Sequence, residues 1–454
     1  MKNLGFKTKP VIFSLIAVCA AALIFWRSAG PLRAGSASQA AVPEIAIEQF
    51  TLNNGLTVIV HEDHRSPWTA INLWYHVGTK NEPPDSHGIA HLSEHLMFTG
   101  TQRVTEDVPK VLKRMGITNA TASTDHDRTR LMMDVPEASF DGALRLVAEL
   151  MAGTVEALTD SKVDKAKGQI QQEAARNADS PYLFAEDLLR SRIYPAGHPY
   201  SRHPLRSIEG INSISLADVK EWFGTYYRPA NAVLVVAGDL KPQTVRRQVE
   251  QYFGGIQPGQ PLSREQGPIP AAPSKRDTVA GKVPRPRLYM VWIVPAYADP
   301  DVDRLDLIRY YLTLKLQEAM SREKSEPEVD ISLKSYELCG EFQVQLTAST
   351  SDQLELLERE VKRQIDEMMS QGPVPADLDQ IKTELLSSLT GDVEHIGGFG
   401  GKAGLLAISE VFAGDPQHYR KAYQRMLETK PADVKAVCSR WLAASPYVLE
   451  VKNQ

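Results

Sequence analysis

Cysteine is scarce in this sequence, and its scarcity excludes several kinds of site. Three cysteines occur in 454 residues, Cys19, Cys339 and Cys438, and no two of them form a C-x-x-C pair. A disulfide framework, a zinc ribbon and a dithiol redox site are therefore not expected. Any metal ion in this protein must be held by histidine and carboxylate side chains.

A concentration of basic charge is also missing. Lysine and arginine number 51 against 56 aspartate and glutamate residues, which gives a formal charge of -5, and no basic block follows residue 35. No nucleic-acid partner is expected, because binding to phosphates requires a patch of lysine and arginine. With 43% hydrophobic residues, the chain has enough apolar side chains for a packed core.

Long apolar runs are absent after the N-terminus, whereas residues 1–41 have the composition of a targeting segment. Basic residues precede an uninterrupted apolar run over residues 11–26, and small residues follow it. This pattern predicts a signal peptide, and because the run is almost long enough to span a bilayer, an uncleaved N-terminal membrane anchor is the alternative. The rest of the chain is expected to be exported, either to the periplasm or to the outer side of the inner membrane. In an oxidising compartment, Cys339 and Cys438 would form a bridge or stay as buried thiols.

The chain is organised as two similar halves. Residues 256–282 are rich in proline and lack a periodic apolar pattern, which predicts a linker. On either side, residues 45–255 and 283–454 repeat one order of predicted elements: strand, helix, hairpin, long helix, further helices and a final strand. The repeat predicts an α+β fold of two homologous lobes, each an antiparallel sheet with helices packed on it.

Residues suited to catalysis are concentrated in the segment His91-Leu-Ser-Glu94-His95 of the first lobe. Its apolar neighbours recur at helical spacing, so the two histidines, four residues apart, point from one face of a helix. Such a pair can share a metal ion, and Glu94 beside them can accept a proton from water. A catalytic zinc site needs a third protein ligand, and Glu173 in the predicted helix 160–178 is the best candidate. The alternative is a pair of partly buried histidines without a metal.

The spacing of these residues resembles a known family. H-x-x-E-H followed 78 residues later by a helical glutamate is similar to the inverzincin zinc peptidases, the family of pitrilysin, insulinase and the mitochondrial processing peptidase beta subunit. Further segments that resemble the family lie at residues 194–200, 227–239 and 397–403. The resemblance therefore covers nearly all of residues 45–454.

The family resemblance implies a fold, a reaction and a partner. In such proteins two lobes form half of a clamshell, and a second half closes over the bound peptide. His91, His95 and Glu173 would hold Zn2+, and Glu94 would act as the general base of a zinc-dependent metalloendopeptidase that hydrolyses peptides or unfolded segments. Since this chain supplies only two lobes, a second homologous chain is expected, in a heterodimer or a homodimer.

The first half departs from the family's pattern in two places. Ala166 stands where the family tends to carry a second glutamate, seven residues before the third ligand. The family's substrate-contacting Asn-Ala pair fits Asn119 and Ala120 by residue type, whereas counting without gaps gives Thr121 and Ala122. The alternative for this stretch is a polar loop.

A third departure concerns the second half. The family's substrate-binding arginine matches Arg322, but the tyrosine that should follow falls near Val329, and Tyr336 is too far along. The missing tyrosine favours a different partner chain that supplies the oxyanion-stabilising group. Ala166 and the missing tyrosine also motivate an alternative, a non-catalytic or weakly active zinc-binding assembly subunit of a peptidase-like complex. A metal-storage or sensing module is a further alternative. Glu94 favours an enzyme, because a structural zinc site needs no general base.

Overall fold

The structure, a computed structural model, describes most of the chain beyond its N-terminal segment. The described residues are 41–177, 180–203, 210–260, 262–264, 268–271, 273–320, 327–398 and 400–454. The predicted signal peptide or anchor, apart from residue 41, and Arg322 lie outside them. Within these ranges, no helix combines the length and the apolar character needed to cross a bilayer.

Alternating apolar residues in the first half form a six-stranded sheet. Its strands are β1 (Glu48–Thr51), β2 (Thr57–Glu62), β3 (Trp68–Tyr75), β4 (Asn119–Thr124), β5 (Thr129–Pro136) and β6 (Ala232–Gly238). Their order is β1-β2-β6-β3-β5-β4, and every pair is antiparallel except β2 with β6. Strand β4 is therefore an edge strand.

The described part of the same half contains seven α-helices. They are α1 (Ile89–Met97), α2 (Val108–Arg114), α3 (Phe140–Ala157), α4 (Asp160–Asn177), α5 (Leu183–Ile193), α6 (Leu216–Tyr226) and α7 (Pro242–Phe253). Helices α1, α3 and α6 bury one face of the sheet, where they cover alternate residues of β3 and β5, namely Ile71, Leu73, Leu131, Met133 and Val135. Helix α1, which carries the H-x-x-E-H motif, is thus held on the lobe's main core.

In the second half, the described residues form a five-stranded sheet and six α-helices. The strands are β7 (Arg276–Gly281), β8 (Arg287–Val294), β9 (Glu328–Ser335), β10 (Gly340–Thr347) and β11 (Tyr447–Asn453). The helices are α8 (Pro300–Met320), α9 (Ser351–Gln371), α10 (Pro375–Asp392), α11 (Lys402–Ala413), α12 (His418–Glu428) and α13 (Pro431–Trp441). The strand order β7-β11-β8-β10-β9 matches β2-β6-β3-β5-β4, with the parallel pair in the same place. The predicted duplication of an α+β lobe is confirmed.

The two lobes exchange helices. Helix α11, from the second half, covers the free face of the first sheet, where it shares a core with Ala70, Trp74, Met132, Val235 and Ala237. Helix α5, from the first half, covers a face of the second sheet through Ala185, Leu189 and Ile193. Separating the lobes would expose both of these cores, so each lobe depends on the other for its stability.

One segment differs from its predicted conformation, and one alternative is excluded. Residues 276–281, within the predicted linker, form β7, which pairs with β11. Residues 119–124 form the extended strand β4 and not the polar loop that was the alternative. Both are edge strands, and pairing of the backbone with one neighbour stabilises them although few of their side chains are apolar.

Candidate metal centre

Contacts at the N-terminus of helix α1 and the burial of its apolar side determine its position. It begins after Gly88, whose φ of +97° lies in the left-handed region, and the Glu82 carboxylate accepts the Ala90 N–H at 3.0 Å. Leu92 and Leu96 are completely buried against the lobe core. Since these two leucines face the core, His91 and His95 are left on the side of α1 that faces α4.

Helix α4 carries the third candidate ligand along a buried stripe. Val163, Ala166 and Ile170 recur at helical spacing and are each at most 2% exposed. Glu173 continues this stripe, so its side chain points toward α1 and is only partly exposed. Ala166, where the family tends to carry glutamate, is packed in the apolar core and contributes no carboxylate to the site.

The three predicted ligands lie together. His91 Nε2 and His95 Nε2 are 3.2 Å apart, and Glu173 Oε2 lies 3.8 Å from the first and 3.6 Å from the second. In a tetrahedral zinc site with ligand bonds of about 2.1 Å, two ligand atoms are about 3.4 Å apart. The triangle therefore fits a zinc ion, and two imidazoles with one carboxylate are a usual catalytic donor set. Among the described residues, these three form the only group of this kind.

The protonation states of the triad suit a cation. Burial lowers the pKa of His91 to about 4, with the neighbouring His95 acting in the same direction. Hydrogen bonding to His95 holds the pKa of the Glu173 carboxyl below its usual range, although burial opposes this. At neutral pH the site thus offers a neutral imidazole at His91 and a charged carboxylate at Glu173, which are the forms that bind a metal.

Glu94 lies beside the triad in a position suited to a base. Its Oε2 atom is shielded from solvent and has no hydrogen-bond partner among the described residues. Burial raises the pKa of Glu94, while the nearby His95 and hydrogen bonding to the hydroxyl and backbone of Thr124 act in the opposite direction. A free carboxylate oxygen with a raised pKa is suited to accept a proton near neutral pH.

Thr124 was not identified from the sequence. It ends strand β4, and its Oγ1 lies 3.2 Å from Thr129 Oγ1, whose hydroxyl donates to Val77 O at 3.1 Å. These two hydroxyls connect the end of β4 to the start of β5 and to the segment that follows β3. A threonine at the end of a polar edge strand gives no sequence signal of such a contact.

Asn119, the predicted substrate-binding residue, is not close to the triad. Residues alternate between the two faces of β4, and Ala120 and Ala122 pack toward the core beneath α1. Asn119 lies on the opposite face, where its Nδ2 donates to the carboxylate of Asp134. Its side chain therefore points away from the face of β4 that lies beneath α1.

The second lobe offers no tyrosine to this site within the described residues 327–398 and 400–454. Val329, the position nearest to the family's tyrosine, lies in β9 and packs on the core of its own lobe. The Tyr336 hydroxyl accepts a hydrogen bond from Arg190 Nη2 at 3.1 Å, in the contact between the lobes. Tyr336 is therefore engaged away from the metal centre.

Comparison with protein families gives two adjoining matches. Residues 57–203 match the family model Insulinase (Peptidase family M16), and residues 213–385 match the model Peptidase M16 inactive domain. The first range contains the whole metal centre, whereas the second contains most of the lobe without it.

Individual relatives agree with these matches. The chain is 29% identical to zinc protease PqqE of Helicobacter pylori over 273 residues, which are 58% of this chain and 60% of that relative, less than two thirds of its length. A crystal structure of a protease from Helicobacter pylori has the same fold, with a TM-score of 0.80, 23% identity, and coverage of 90% of this chain and 99% of that one.

Comparison with a longer protein of known structure shows that this fold can form part of a larger molecule. The periplasmic protease PqqL of Escherichia coli superposes with a TM-score of 0.76 at 16% identity, and the match covers 91% of this chain but 48% of that one. The present fold thus corresponds to about half of that molecule. Together, the two family models, the similar relatives and the shared fold establish that this chain belongs to peptidase family M16.

Proposed function

We propose that this chain is the zinc-binding subunit of an exported zinc-dependent metalloendopeptidase. The observation that carries this proposal is the triangle of His91, His95 and Glu173 with the unpartnered Oε2 of Glu94 beside it. A site that only stored or sensed a metal would have no use for the buried base.

The chemistry follows from the side chains around the site. His91, His95 and Glu173 would hold Zn2+, which supplies a Lewis acid that lowers the pKa of water and polarises a carbonyl oxygen. Glu94 accepts the proton from the attacking water and then donates it to the amine that leaves. Thr124 keeps the Glu94 carboxylate in place through its hydroxyl and its backbone.

The substrate is a peptide or an unfolded segment. Strand β4 is an edge strand that ends beside Glu94, and an extended peptide can add to such an edge through backbone hydrogen bonds. A stably folded domain offers no free extended segment, so we expect it to resist cleavage.

A second half-clamshell chain is proposed as the partner. The side chains of His95 and Glu173 are 22% and 31% exposed, so the ligands are open to solvent on this chain alone. The fold also matches only 48% of PqqL, in keeping with a larger closed assembly. Val329 lies where the family carries its tyrosine, so a second copy of this chain would not add an oxyanion-stabilising group at that position. A different chain could supply that group and is therefore the more suitable partner. The periplasmic PqqL and the apolar run at residues 11–26 support export.

The second candidate function is a zinc-binding assembly subunit without turnover. Ala166 favours it, because the carboxylate that would tune the site in other family members is missing and its place is filled by core packing. In that case zinc would stabilise the lobe while the partner carried out the reaction.

One experiment separates these functions. The chain is purified together with any protein that adheres to it, zinc per chain is measured, and an unstructured peptide is assayed with and without a chelator. Cleavage that a chelator removes and that Glu94→Gln abolishes would support the peptidase. Zinc binding with the same cleavage rate in wild type and Glu94→Gln would support the assembly subunit. Absence of zinc from the purified chain and after zinc addition would contradict both.

A further inference from the structure

A cavity lies on the face of the first sheet opposite to the metal centre. Its volume is 390 Å³. Its floor is a row of register partners on three strands, Ala70, Asp134 and Asn119. Trp68 forms one wall, and the glycine-rich segment 395–398 from the second lobe forms another. Helix α11 covers the middle of this face, so the cavity is the part next to the start of that helix.

The cavity presents an unpaired carboxylate. Asp134 accepts hydrogen bonds from Asn119 Nδ2 and from the backbone of Gly398. Asp134 is only partly exposed, and within the described ranges no lysine or arginine forms an ion pair with it. The imidazole of His395 also lines the cavity. Burial raises the pKa of this carboxyl. A cation that entered the cavity would therefore give Asp134 the charge partner that the described lysines and arginines do not provide.

An exposed indole stands beside this carboxylate. Trp68 is 44% exposed, although a large aromatic side chain is usually packed. Trp68 and Ala70 lie on the same face of β3, so the indole borders the row that contains Asp134. Cations bind favourably over the face of tryptophan. The carboxylate and the indole thus favour the same kind of ligand.

The glycine-rich wall is fitted closely to the carboxylate. A Cβ atom on residue 397 would lie 1.7 Å from Asp134 Oδ1, so only Gly397 allows the segment to approach so near. The same segment supplies the backbone contact of Gly398 to Asp134. The second lobe therefore completes the cavity and fixes the position of its charged group.

The position of the cavity along β4 relates it to the metal centre. Thr124, beside Glu94, is five residues beyond Asn119, which corresponds to about 17 Å along an extended strand. Successive side chains of an extended peptide point to opposite faces. If one side chain points to the metal centre, the side chain five positions away therefore points to the cavity. A peptide lying along the edge of β4 could therefore reach both places at once.

We propose that this cavity is a specificity subsite for an arginine or lysine side chain of a peptide bound along β4. The proposal rests on the proposed function, since it places the basic residue about five positions from the bond that is cleaved. Asp134 pairs with the cation, and Trp68 covers it.

The test is a scan of peptide binding to the zinc-loaded Glu94→Gln chain, measured by fluorescence anisotropy. Labelled peptides of neutral residues carry a single arginine at successive positions. We expect one position to tighten binding about tenfold. Norleucine at that position, Asp134→Asn and Trp68→Leu should each remove the gain. Asp330→Asn is the matched control, because Asp330 is an exposed carboxylate on β9, the corresponding edge strand of the other lobe.

The possible outcomes are separable. Equal affinity at every arginine position, a gain that Asp134→Asn leaves intact, or no peptide binding at all would overturn the subsite. The same peptides are also tested for cleavage by the wild-type chain with its partner. Arginine-dependent binding without any cleavage would keep the subsite and refute the peptidase. Cleavage at the same rate for every position of arginine would support the peptidase and refute the subsite.

Discussion

Shortening or neutralising Glu173, the proposed third ligand, should remove zinc while leaving the fold intact. Glu173 Oε2 lies 3.8 Å and 3.6 Å from the two imidazole nitrogens, which places it within bonding distance of an ion held by both. Glu173→Asp removes one methylene and moves the carboxylate about 1.5 Å away from the ion. Its oxygen can then no longer form a zinc–oxygen bond of about 2.1 Å. Glu173→Gln keeps the length and removes the charge.

The expected loss of zinc affinity is at least about 100-fold for either variant. Loss of a partner that only supports a ligand already costs about 10- to 100-fold, and a ligand should cost more. The assay is competition for zinc with a chromophoric chelator at neutral pH, together with circular dichroism to confirm folding. Asp164→Asn is the control, because Asp164 is an exposed carboxylate on the same helix and faces away from α1.

Two results would refute this assignment. The first is wild-type zinc affinity in both Glu173 variants, which would mean that another group is the third ligand. The second is zinc retained by the double variant His91→Ala, His95→Ala, which would place the metal elsewhere. Weakened binding in Asp164→Asn would instead indicate that charge on α4, rather than ligation by Glu173, attracts the ion.

Three further predictions concern the base, the lobe contact and pH. Glu94→Gln should retain zinc and reduce peptide turnover by about 10² to 10⁴, measured by zinc content and peptide cleavage, and loss of zinc would make Glu94 a ligand instead. Arg190→Met should lower the free energy of unfolding in urea by about 3 kcal/mol, because Arg190 Nη1 lies 3.1 Å from the buried Glu341 carboxylate; an unchanged midpoint would contradict this. Burial, and secondarily Arg190, lowers the pKa of His126 well below 6.5, so only the unfolded chain takes up this proton as pH falls below about 6.5. Below this pH, His126 should lower the free energy of unfolding by about 1.4 kcal/mol for each unit that the pH falls. His126→Gln should reduce the slope of stability against pH, measured by thermal unfolding, by that amount.

Elements with a strong apolar period were predictable from the sequence. In the second half, the order strand, helix, hairpin that the apolar pattern predicts is found as β8, α8 and the hairpin of β9 and β10. The H-x-x-E-H segment forms α1, and the structure brings Glu173 to it from 78 residues away. A spacing of i and i+4 on one helix determines which side chains share a face, so this part of the site follows from local geometry.

Features that depend on contact between the lobes were not predictable. Helices α5 and α11 each pack on the sheet of the other half, so their apolar residues match a partner that is distant in sequence. Asn119 was assigned to substrate contact by residue type, and only the register of β4 reveals that it lies on the face away from the metal. The cavity beside it needs Gly397 from the other half of the chain. Such arrangements arise from tertiary packing and leave no local period in the sequence.

The contact between the lobes explains why a lobe without metal ligands is retained in the same chain. The turn between β4 and β5 carries Asp127, whose Oδ1 accepts the Tyr200 hydroxyl at 2.6 Å and whose Oδ2 accepts the Glu337 N–H of the second lobe at 3.0 Å. Asp127 is completely buried, so these hydrogen bonds are costly to break. The same turn immediately follows Thr124, the residue that contacts Glu94. The second lobe therefore helps to position the hairpin next to Glu94, the proposed general base, as well as completing the cavity at the other end of β4.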